Sequence, residues 1–335
     1  MTTQKALEKH PRAAELEHSA EDIRWATPDV VAQYRAKRLH CKTIVDVGCG
    51  IGFQTFAFAQ HCGHVYAIEL DKEKIEKAKR NAAVLGLKNI TFIHGDALST
   101  EVIKQLKSID VVFCDPQRLP EETVRKTATI QPDIHQLLES YGKFTKRIAI
   151  EFPPQIKEIP FDCEREYLSW QGRLNRLTLY FGSLKRSERS VVVLPQEAVL
   201  NNDPAAKLRE TTAVGQFIYD VDPAVIKAEL LAELSSLTKT SLISRGKTTL
   251  FTSIKLVESP FFVHRFTVLN ATDFEPKTMI DALKDLHAGQ VVLRYSVDPQ
   301  DYWKIRATFE KQLRGAKVVH LFKVGEKAVI CEELG

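Results

Sequence analysis

Short apolar runs alternate with amphipathic segments between residues 43 and 195. The apolar runs predict strands at 43–47, 64–70, 90–94, 109–114 and 147–152. Segment 71–85 repeats apolar residues at spacings of three and four and is followed by Gly86, which is typical of a helix with a glycine cap. Strands that alternate with helices predict right-handed β-α-β units. The expected fold class is therefore α/β, with a doubly wound parallel sheet.

The pattern differs on both sides of this region. The first forty residues are polar and helix-like, and we expect this arm to pack on the domain that follows. Two β-like runs, 174–181 and 189–194, predict an antiparallel hairpin that closes the sheet edge. The remainder predicts an α+β module, with helices at 224–237, 276–286 and 300–313 and strands at 262–269, 290–296, 316–323 and 327–332. The predicted domains are a helical arm (1–40), the α/β domain (41–198) and the smaller α+β domain (199–335).

Composition narrows the class of protein without naming a partner. The 335 residues are 44% hydrophobic and carry a formal charge of +4, which permits an anionic partner but does not require one. The six cysteines are scattered without a CxxC pair, so we expect reduced thiols and neither a zinc site nor a disulfide framework. The chain shows neither the apolar core of a signal peptide nor a run of about 18 apolar residues. We expect a cytoplasmic protein that does not enter a membrane.

A glycine-rich loop follows the first predicted strand. The sequence IVDVGCGIGFQT, residues 44–55, runs from apolar residues through Asp46 to glycines at alternate positions: Gly48, Gly50 and Gly52. Glycines allow a tight turn, and the helix that follows presents its N-terminal amides to the same space. This arrangement predicts a nucleotide-type ligand at the carboxyl end of the first strand.

Acidic residues end four successive predicted strands: Asp46, Glu69, Asp96 and Asp115. The carboxyl ends of parallel strands share one edge of a doubly wound sheet, so these acids should converge on one crevice. Glu69 lies 19 residues after Gly50, a spacing suited to accepting hydrogen bonds from ribose hydroxyls.

Together these motifs resemble the class I S-adenosylmethionine-dependent methyltransferases, over residues 23–195. The motif DVGCGIG resembles the first motif of that family. The resemblance implies a Rossmann-like sheet and S-adenosyl-L-methionine as cofactor, with Glu69 on the ribose and Asp96 at the adenine. The cofactor-binding residues it implies are Asp46, Gly48, Cys49, Gly50, Gly52, Glu69, Leu70, Asp96, Ala97 and Asp115.

The DPQR motif supplies the candidate catalytic residues, Asp115, Pro116, Gln117 and Arg118. It falls where family members that methylate amino groups of nucleic acids carry (D/N)PP(Y/F/W), and Gln117 and Arg118 depart from that signature. Asp115 and the carbonyl of Pro116 could accept hydrogen bonds from a substrate amine, while Arg118 is suited to a phosphate, a carboxylate or a base carbonyl. Displacement at a sulfonium needs no metal, so we expect none.

The wider sequence resembles the RNA cap guanine-N2 (trimethylguanosine) synthase branch and prokaryotic methyltransferases with a C-terminal THUMP-like domain. The segments that carry the second likeness are RWATPDVVAQYRAKRL, DPQR and the tail from LYFGSLKRSERSVVVLP onward. The resemblance implies methylation of structured RNA, such as tRNA or rRNA. A protein or small-molecule methyltransferase, and a non-catalytic RNA-binding protein that holds S-adenosylmethionine, remain alternatives.

Other side chains near the predicted site have a second interpretation. Trp25, Tyr34 and Arg35 could form a lid or a base-stacking face, but packing of the helical arm is the favoured interpretation. For Cys49 and Cys114, packing is favoured over a catalytic role. The stretch Glu151-Phe152-Pro153-Pro154 ends the fifth strand and is a candidate for substrate contact. The basic residues that could contact phosphate are Lys185, Arg186, Arg189, Arg245, Lys247, Arg294, Lys304, Arg306, Lys311, Arg314 and Lys317, although such charges more often form a solvated face.

Overall fold

The computed structural model describes residues 3–118, 130–156, 158–246 and 248–335, with backbone alone for residues 3, 117, 118 and 130. It divides into two compact units. The first comprises Met1–Leu168 and Asn175–Ser190, and the second comprises Ser169–Leu174 and Val191–Gly335.

The first unit contains an N-terminal helical segment and a sheet flanked by helices. Its helices are α1 (Thr3–Lys9), α2 (Ala20–Trp25), α3 (Asp29–Arg38), α4 (Phe53–His61), α5 (Lys72–Leu85), α6 (Thr100–Ile103) and α7 (Ile134–Tyr141). Its strands are β1 (Thr43–Val47), β2 (His64–Glu69), β3 (Ile90–His94), β4 (Val111–Cys114), β5 (Gln117–Arg118), β6 (Ile130–Gln131), β7 (Ile148–Phe152), β8 (Glu164–Trp170) and β9 (Arg173–Tyr180). Strand β10 (Arg189–Leu194) begins in this unit.

Five parallel strands form the centre of the sheet in the order β3-β2-β1-β4-β7. Strand β9 continues the sheet antiparallel to β7. Strands β1, β4 and β7 are almost entirely buried, which explains their continuous apolar sequences. The chain order reverses between β1 and β4, and such a reversal opens a crevice at the carboxyl ends of the strands. The predicted fold class, an α/β Rossmann-like sheet with an antiparallel hairpin, is confirmed.

The composition of the hairpin differs from the sequence prediction. Segment 174–181 does not pair with 189–194, because β9 lies between β7 and β8. Strand β8 was not predicted. It is buried along most of its length although it carries Glu164 and Glu166, each about 1% exposed. Arg38 of α3 forms ion pairs with both carboxylates, at 2.8 Å from Glu164. Glu164 and Glu166 interrupt the apolar pattern of β8, and Arg38 of α3 compensates their charges.

The N-terminal segment packs against α4 and α5, as the sequence led us to expect. Glu17 accepts two hydrogen bonds from Arg80, at 2.6 and 3.0 Å, and its backbone exchanges two more with the side chain of Asn81. A shared apolar cluster is formed by Ala6, Ala13, Leu16, Ile23, Ile51, Phe53, Phe56 and Ala82. The segment thus covers helix surface next to the glycine-rich loop.

The second unit is built on a seven-stranded sheet with the order β13-β14-β12-β15-β18-β17-β16. Its strands are β11 (Ala198–Asn201), β12 (Phe217–Val221), β13 (Ser241–Arg245), β14 (Thr249–Ser253), β15 (Phe262–Asp273), β16 (Ala288–Leu293), β17 (Lys317–Val324) and β18 (Lys327–Leu334). Its helices are α8 (Pro223–Ala228), α9 (Leu231–Thr238), α10 (Pro276–Asp285) and α11 (Tyr302–Glu310). The helix predicted at 224–237 is two helices, because Glu229 adopts a left-handed φ of 59° between them.

Among the helices of the described residues, none has the length and apolar character needed to cross a membrane.

Candidate functional site

The glycine-rich loop connects β1 to α4 with left-handed backbone angles. Gly52 has a φ of +96°, and a Cβ there would lie 2.5 Å from the ring of Phe56, so a side chain cannot be accommodated. Gly50 has a φ of +56°, but a Cβ there would meet no atom within 4 Å. The loop therefore needs glycine for its shape, and its face at Gly50 is open to a ligand.

Glu69, at the end of β2, is fixed against this loop. One carboxylate oxygen accepts a hydrogen bond from the Gly50 N–H at 2.8 Å, and the other accepts one from the Asp71 N–H at 3.0 Å. A carboxylate can accept about four hydrogen bonds, so two positions remain for the hydroxyls of a ribose. Glu69 is thus oriented before a ligand binds.

Three further residues predicted to bind the cofactor, among them Asp96 at the adenine, lie at the ends of β2 and β3. Leu70 is 70% exposed and offers an apolar surface for a ring, Asp96 is exposed, and Ala97 is buried. The Gly95 N–H donates to the Glu69 carbonyl at 3.0 Å, which holds the two strand ends together.

Asp115 lies directly against the glycine-rich loop. Its N–H donates to the carbonyl of Val47 at 3.3 Å, and a Cβ on Gly48 would lie 3.2 Å from the Asp115 carbonyl oxygen. Pro116, half-buried, follows it. The start of the DPQR motif is therefore next to the loop predicted to hold the methyl donor.

Two carboxylates at this edge have raised pKa values. Burial raises the pKa of Asp46 to about 7, although the Thr55 hydroxyl donates to it at 2.6 Å. Burial, with repulsion from Glu151, raises the pKa of Asp115 to about 7. Perturbed pKa values of this kind cluster at functional sites, and a cationic ligand there would favour the ionised carboxylates.

The second half of the DPQR motif is described by its backbone alone. Gln117 and Arg118 pair with Gln131 and Ile130 in a two-stranded ribbon. The side chains of Gln117 and Arg118 lie outside the described part of the structure, so their catalytic roles stay predictions.

A buried ion-pair network lies beside Asp115. Arg35 donates to Gln54 at 2.7 Å and to Glu151, and its guanidinium lies 4.6 Å from the ring centroid of Phe113. The other oxygen of Glu151 is 2.6 Å from Nε of Arg176. The Arg176 side chain is 22% exposed, whereas those of Arg35 and Glu151 are 2% and 7% exposed. Of these three charged side chains, Arg176 is the one that solvent reaches most.

Sequence reasoning found this network only in part. Glu151 was a candidate because it ends a strand, and Arg35 was assigned to packing, which agrees with its burial. The sequence did contain an indication of the ion pair. Arg35 falls on the same helix face as buried Val31, and a buried cation needs a carboxylate partner. Arg176 gave no signal before the pairing of β9 with β7 was known.

The N-terminal helix α1 also contributes a charge near this network. Burial, with repulsion from Arg176, lowers the pKa of Lys9 to about 8. The Lys9 ammonium donates to the Ala26 carbonyl at 2.6 Å. The Lys9 ammonium is therefore held by the backbone ahead of α3, and its pKa responds to Arg176 and Glu151 of the network.

The cysteines at the site behave as packing residues. Cys49 and Cys114 are buried, and burial raises the pKa of both thiols well above its ordinary value. Neutral thiols of this kind do not act as nucleophiles. No cluster of three metal-ligating side chains occurs among the residues that the structure describes.

The parallel sheet, its reversal at β1 and the acids along one edge have the layout of a class I S-adenosylmethionine-dependent methyltransferase domain. The residues of the edge fit the cofactor: an open face at Gly50, an oriented carboxylate for a ribose and aspartates for the cationic methionine moiety. S-adenosyl-L-methionine is therefore the cofactor that these residues are suited to hold.

Comparison with known proteins agrees with this class. Residues 40–177 match a family model described as a methyltransferase domain. An uncharacterised S-adenosylmethionine-dependent methyltransferase of Mycobacterium tuberculosis is 25% identical over 219 residues, which cover 63% of this chain and 59% of the relative. An uncharacterised RNA methyltransferase of Halalkalibacterium halodurans is 34% identical over 96 residues, 28% of this chain and 21% of the relative. The chain thus spans less than two thirds of the length of these curated relatives.

A solved structure shares the fold over almost the whole chain. It comes from Porphyromonas gingivalis W83 and is provisionally assigned as a methyltransferase. It aligns with a TM-score of 0.79 and 18% identity, over 98% of this chain and 87% of the other. At this identity the likeness concerns the fold alone.

Proposed function

We propose that the protein transfers the methyl group of S-adenosylmethionine to a base of structured RNA, such as tRNA or rRNA. The contact of Asp115 with the glycine-rich loop carries this proposal. It puts a hydrogen-bond acceptor for a substrate amine next to the loop that holds the donor, as transfer between two bound molecules requires.

The residues of the sheet edge take separate roles in this proposal. Gly50 lets the backbone approach the methionine moiety, Asp46 compensates its ammonium, and Glu69 holds the ribose. Asp115 and the Pro116 carbonyl accept hydrogen bonds from the substrate amine and stabilise the positive charge that develops on it. Arg118 holds a phosphate or a base carbonyl.

The choice of RNA has support outside the geometry. The Halalkalibacterium relative named as an RNA methyltransferase matches 96 residues of this chain by sequence. The likeness to the trimethylguanosine synthase branch and to methyltransferases with a THUMP-like domain points the same way. In this proposal the second unit docks the RNA, and the reaction takes place in the cytoplasm, where the six free thiols of the chain stay reduced.

Incubation with radiolabelled S-adenosylmethionine and fractionated cellular RNA and protein tests the proposal. We expect label in RNA, and mass spectrometry of nucleosides from cells that lack the protein should show one missing methylated nucleoside. Label in protein alone would support a protein methyltransferase instead.

An Asp115→Ala variant tests the assignment of the acceptor. We expect it still to bind S-adenosylmethionine by calorimetry, more weakly than the wild type, but to lose transfer. The matched control is Asp162→Ala, which removes an exposed acid of the same unit that is paired with Lys185. Full transfer by Asp115→Ala would remove Asp115 from the mechanism.

A further inference from the structure

The second unit contains a polar cavity of about 380 Å³. Ligand cavities in proteins typically measure about 300–1,000 Å³, so the volume suits a small polar group. Its walls come from strands at both ends of the sheet order, with Ser244 of β13, Leu250 of β14 and Lys323 of β17. The sheet therefore curls enough for strands near both of its ends to line one open cavity.

The chemistry of the lining favours an anion. Arg294 and Lys323 supply positive charge, and hydroxyl groups come from Ser244, Thr248 and Ser296. Among the described residues that line the cavity there is no carboxylate. Cations and hydroxyls together are the donors that bind phosphate oxygens in proteins.

Backbone can also approach a ligand here. Gly325 has a φ of +57° and a Cβ there would meet no atom within 4 Å, and at Gly246 the nearest atom would be 4.0 Å away. Both glycines line the cavity. Open glycine backbone beside cations is a feature of sites that hold phosphate groups closely.

Lys323 differs in its contacts from two of the basic residues that the sequence suggested as phosphate contacts. Lys185 is within 2.7 Å of two carboxylates, and Arg306 is 2.7 Å from Glu310. Lys323 is exposed, with its ammonium 4.9 Å from the ring centroid of Phe274. Carboxylates thus engage Lys185 and Arg306, whereas the contact described for Lys323 is with an aromatic ring.

Arg294 is held in place from the protein side. Its Nε donates to Nδ1 of buried His320 at 3.1 Å, and a terminal nitrogen is 4.0 Å from Glu333. Glu333 has a closer partner in His264, at 2.6 Å. The rest of the Arg294 guanidinium can therefore serve a ligand while its orientation is fixed.

We propose that this cavity binds a phosphate group of the RNA backbone. The proposal rests on the proposed function, because it assigns a contact of the same RNA substrate. The site lies in the second unit and is separate from the methyl-transfer residues, so it would contribute to RNA affinity and not to binding of S-adenosylmethionine.

Binding of fluorescently labelled bulk tRNA to the full chain, measured by anisotropy at several salt concentrations, tests this proposal. We expect Lys323→Ala to weaken binding about three- to tenfold and to reduce the slope of log affinity against log salt by about 0.7–0.9. The matched control is Lys327→Ala, which removes an exposed lysine of the neighbouring strand that is paired with Asp273 and lies outside the cavity lining. Arg294→Gln keeps a donor for His320 and should also weaken binding.

The possible outcomes separate the two proposals. If the wild-type protein methylates RNA and both cavity variants bind tRNA with unchanged affinity and salt slope, the cavity proposal alone fails. If the wild-type protein neither binds nor methylates RNA, the proposed function itself fails.

A second experiment measures the melting temperature of the protein with added inorganic phosphate or adenosine monophosphate. A rise in melting temperature that Lys323→Ala abolishes, with unchanged tRNA binding, would assign the cavity to a free anion and overturn its role in RNA binding.

Discussion

At the scale of single residues, substitution of Gly50 can distinguish the ligand-binding role of the loop from its contribution to stability. Gly50 and Gly86 both have left-handed φ angles, +56° and +71°, and open space at the Cβ position. Gly50→Ala and Gly86→Ala should therefore each lower the free energy of unfolding by about 1–2 kcal/mol. Only Gly50→Ala should weaken S-adenosylmethionine binding, by about tenfold or more, equivalent to about 1.4 kcal/mol. Calorimetric titration of both variants makes the comparison, and equal affinities would contradict the assignment of the loop.

The two aspartates with raised pKa values predict that cofactor binding depends on pH. In the free protein Asp46 and Asp115 have pKa values of about 7, so each is largely protonated below that pH. This protonation favours the folded state at low pH, and the contribution is lost as pH rises through about 7. A cationic ligand favours the ionised carboxylates, so S-adenosylmethionine should bind more tightly as pH rises from 6 to 8, with release of protons.

Calorimetry in two buffers of different ionisation enthalpy counts these protons. Asp115→Asn should release fewer protons than the wild-type protein at pH 6.5, whereas Asp162→Asn, at an exposed position, should release the same number. An unchanged count for Asp115→Asn would show that Asp115 is not linked to the cofactor.

The position of a candidate site residue could be predicted from sequence when the residue directly follows a recognisable strand. Glu69 and Asp115 follow apolar runs, and parallel strands bring such positions to one edge without knowledge of side-chain contacts. Arg176 could not be predicted in the same way. Its contact with Glu151 depends on the pairing of β9 with β7, and no local pattern in the sequence encodes that pairing.

At the scale of elements, Arg38 attaches α3 to the hairpin through buried charges. Arg38, Glu164 and Glu166 are each 5% exposed or less. Arg38→Met should lower the free energy of unfolding by about 3–5 kcal/mol, because it leaves two buried carboxylates without their cation. The comparison is Arg80→Met, which breaks an exposed pair with Glu17 and should leave the melting temperature close to that of the wild type. Urea denaturation measures both.

A triple variant distinguishes lost charge from lost packing. Arg38→Met combined with Glu164→Gln and Glu166→Gln should recover part of the stability, because neutral amides cost less to bury than unpaired carboxylates. No recovery would indicate that the aliphatic stem of Arg38 and its stacking on Tyr180, 3.6 Å from the ring centroid, dominate.

These same charges explain which elements the sequence could predict. The five parallel strands are continuous apolar runs and were found, with boundaries within two residues of those in the structure. Strand β8 carries glutamates at buried positions, so its pattern resembles that of an exposed segment. The cation that makes those positions tolerable lies more than a hundred residues away in the chain. A local pattern cannot contain that information.

At the scale of the whole molecule, each described apolar cluster lies within one of the two units. Clusters around Phe113 and Phe56 belong to the first unit, and clusters around Leu283 and Phe266 belong to the second. We therefore expect differential scanning calorimetry to resolve two transitions. S-adenosylmethionine should raise only the transition of the first unit, because a ligand at 100 times its Kd stabilises the unit that binds it by about 2.7 kcal/mol.

Two variants assign the transitions. Leu283→Ala removes a fully buried side chain of the second unit and should lower that unit's transition, with a cost of about 2–5 kcal/mol, while the shift caused by the cofactor persists. Gly50→Ala should reduce the cofactor shift at the same cofactor concentration and leave the second transition unchanged. A single transition that moves as a whole with cofactor and with Leu283→Ala would show that the two units unfold cooperatively. In that case, cofactor binding at the sheet edge and stability of the phosphate cavity would be thermodynamically linked.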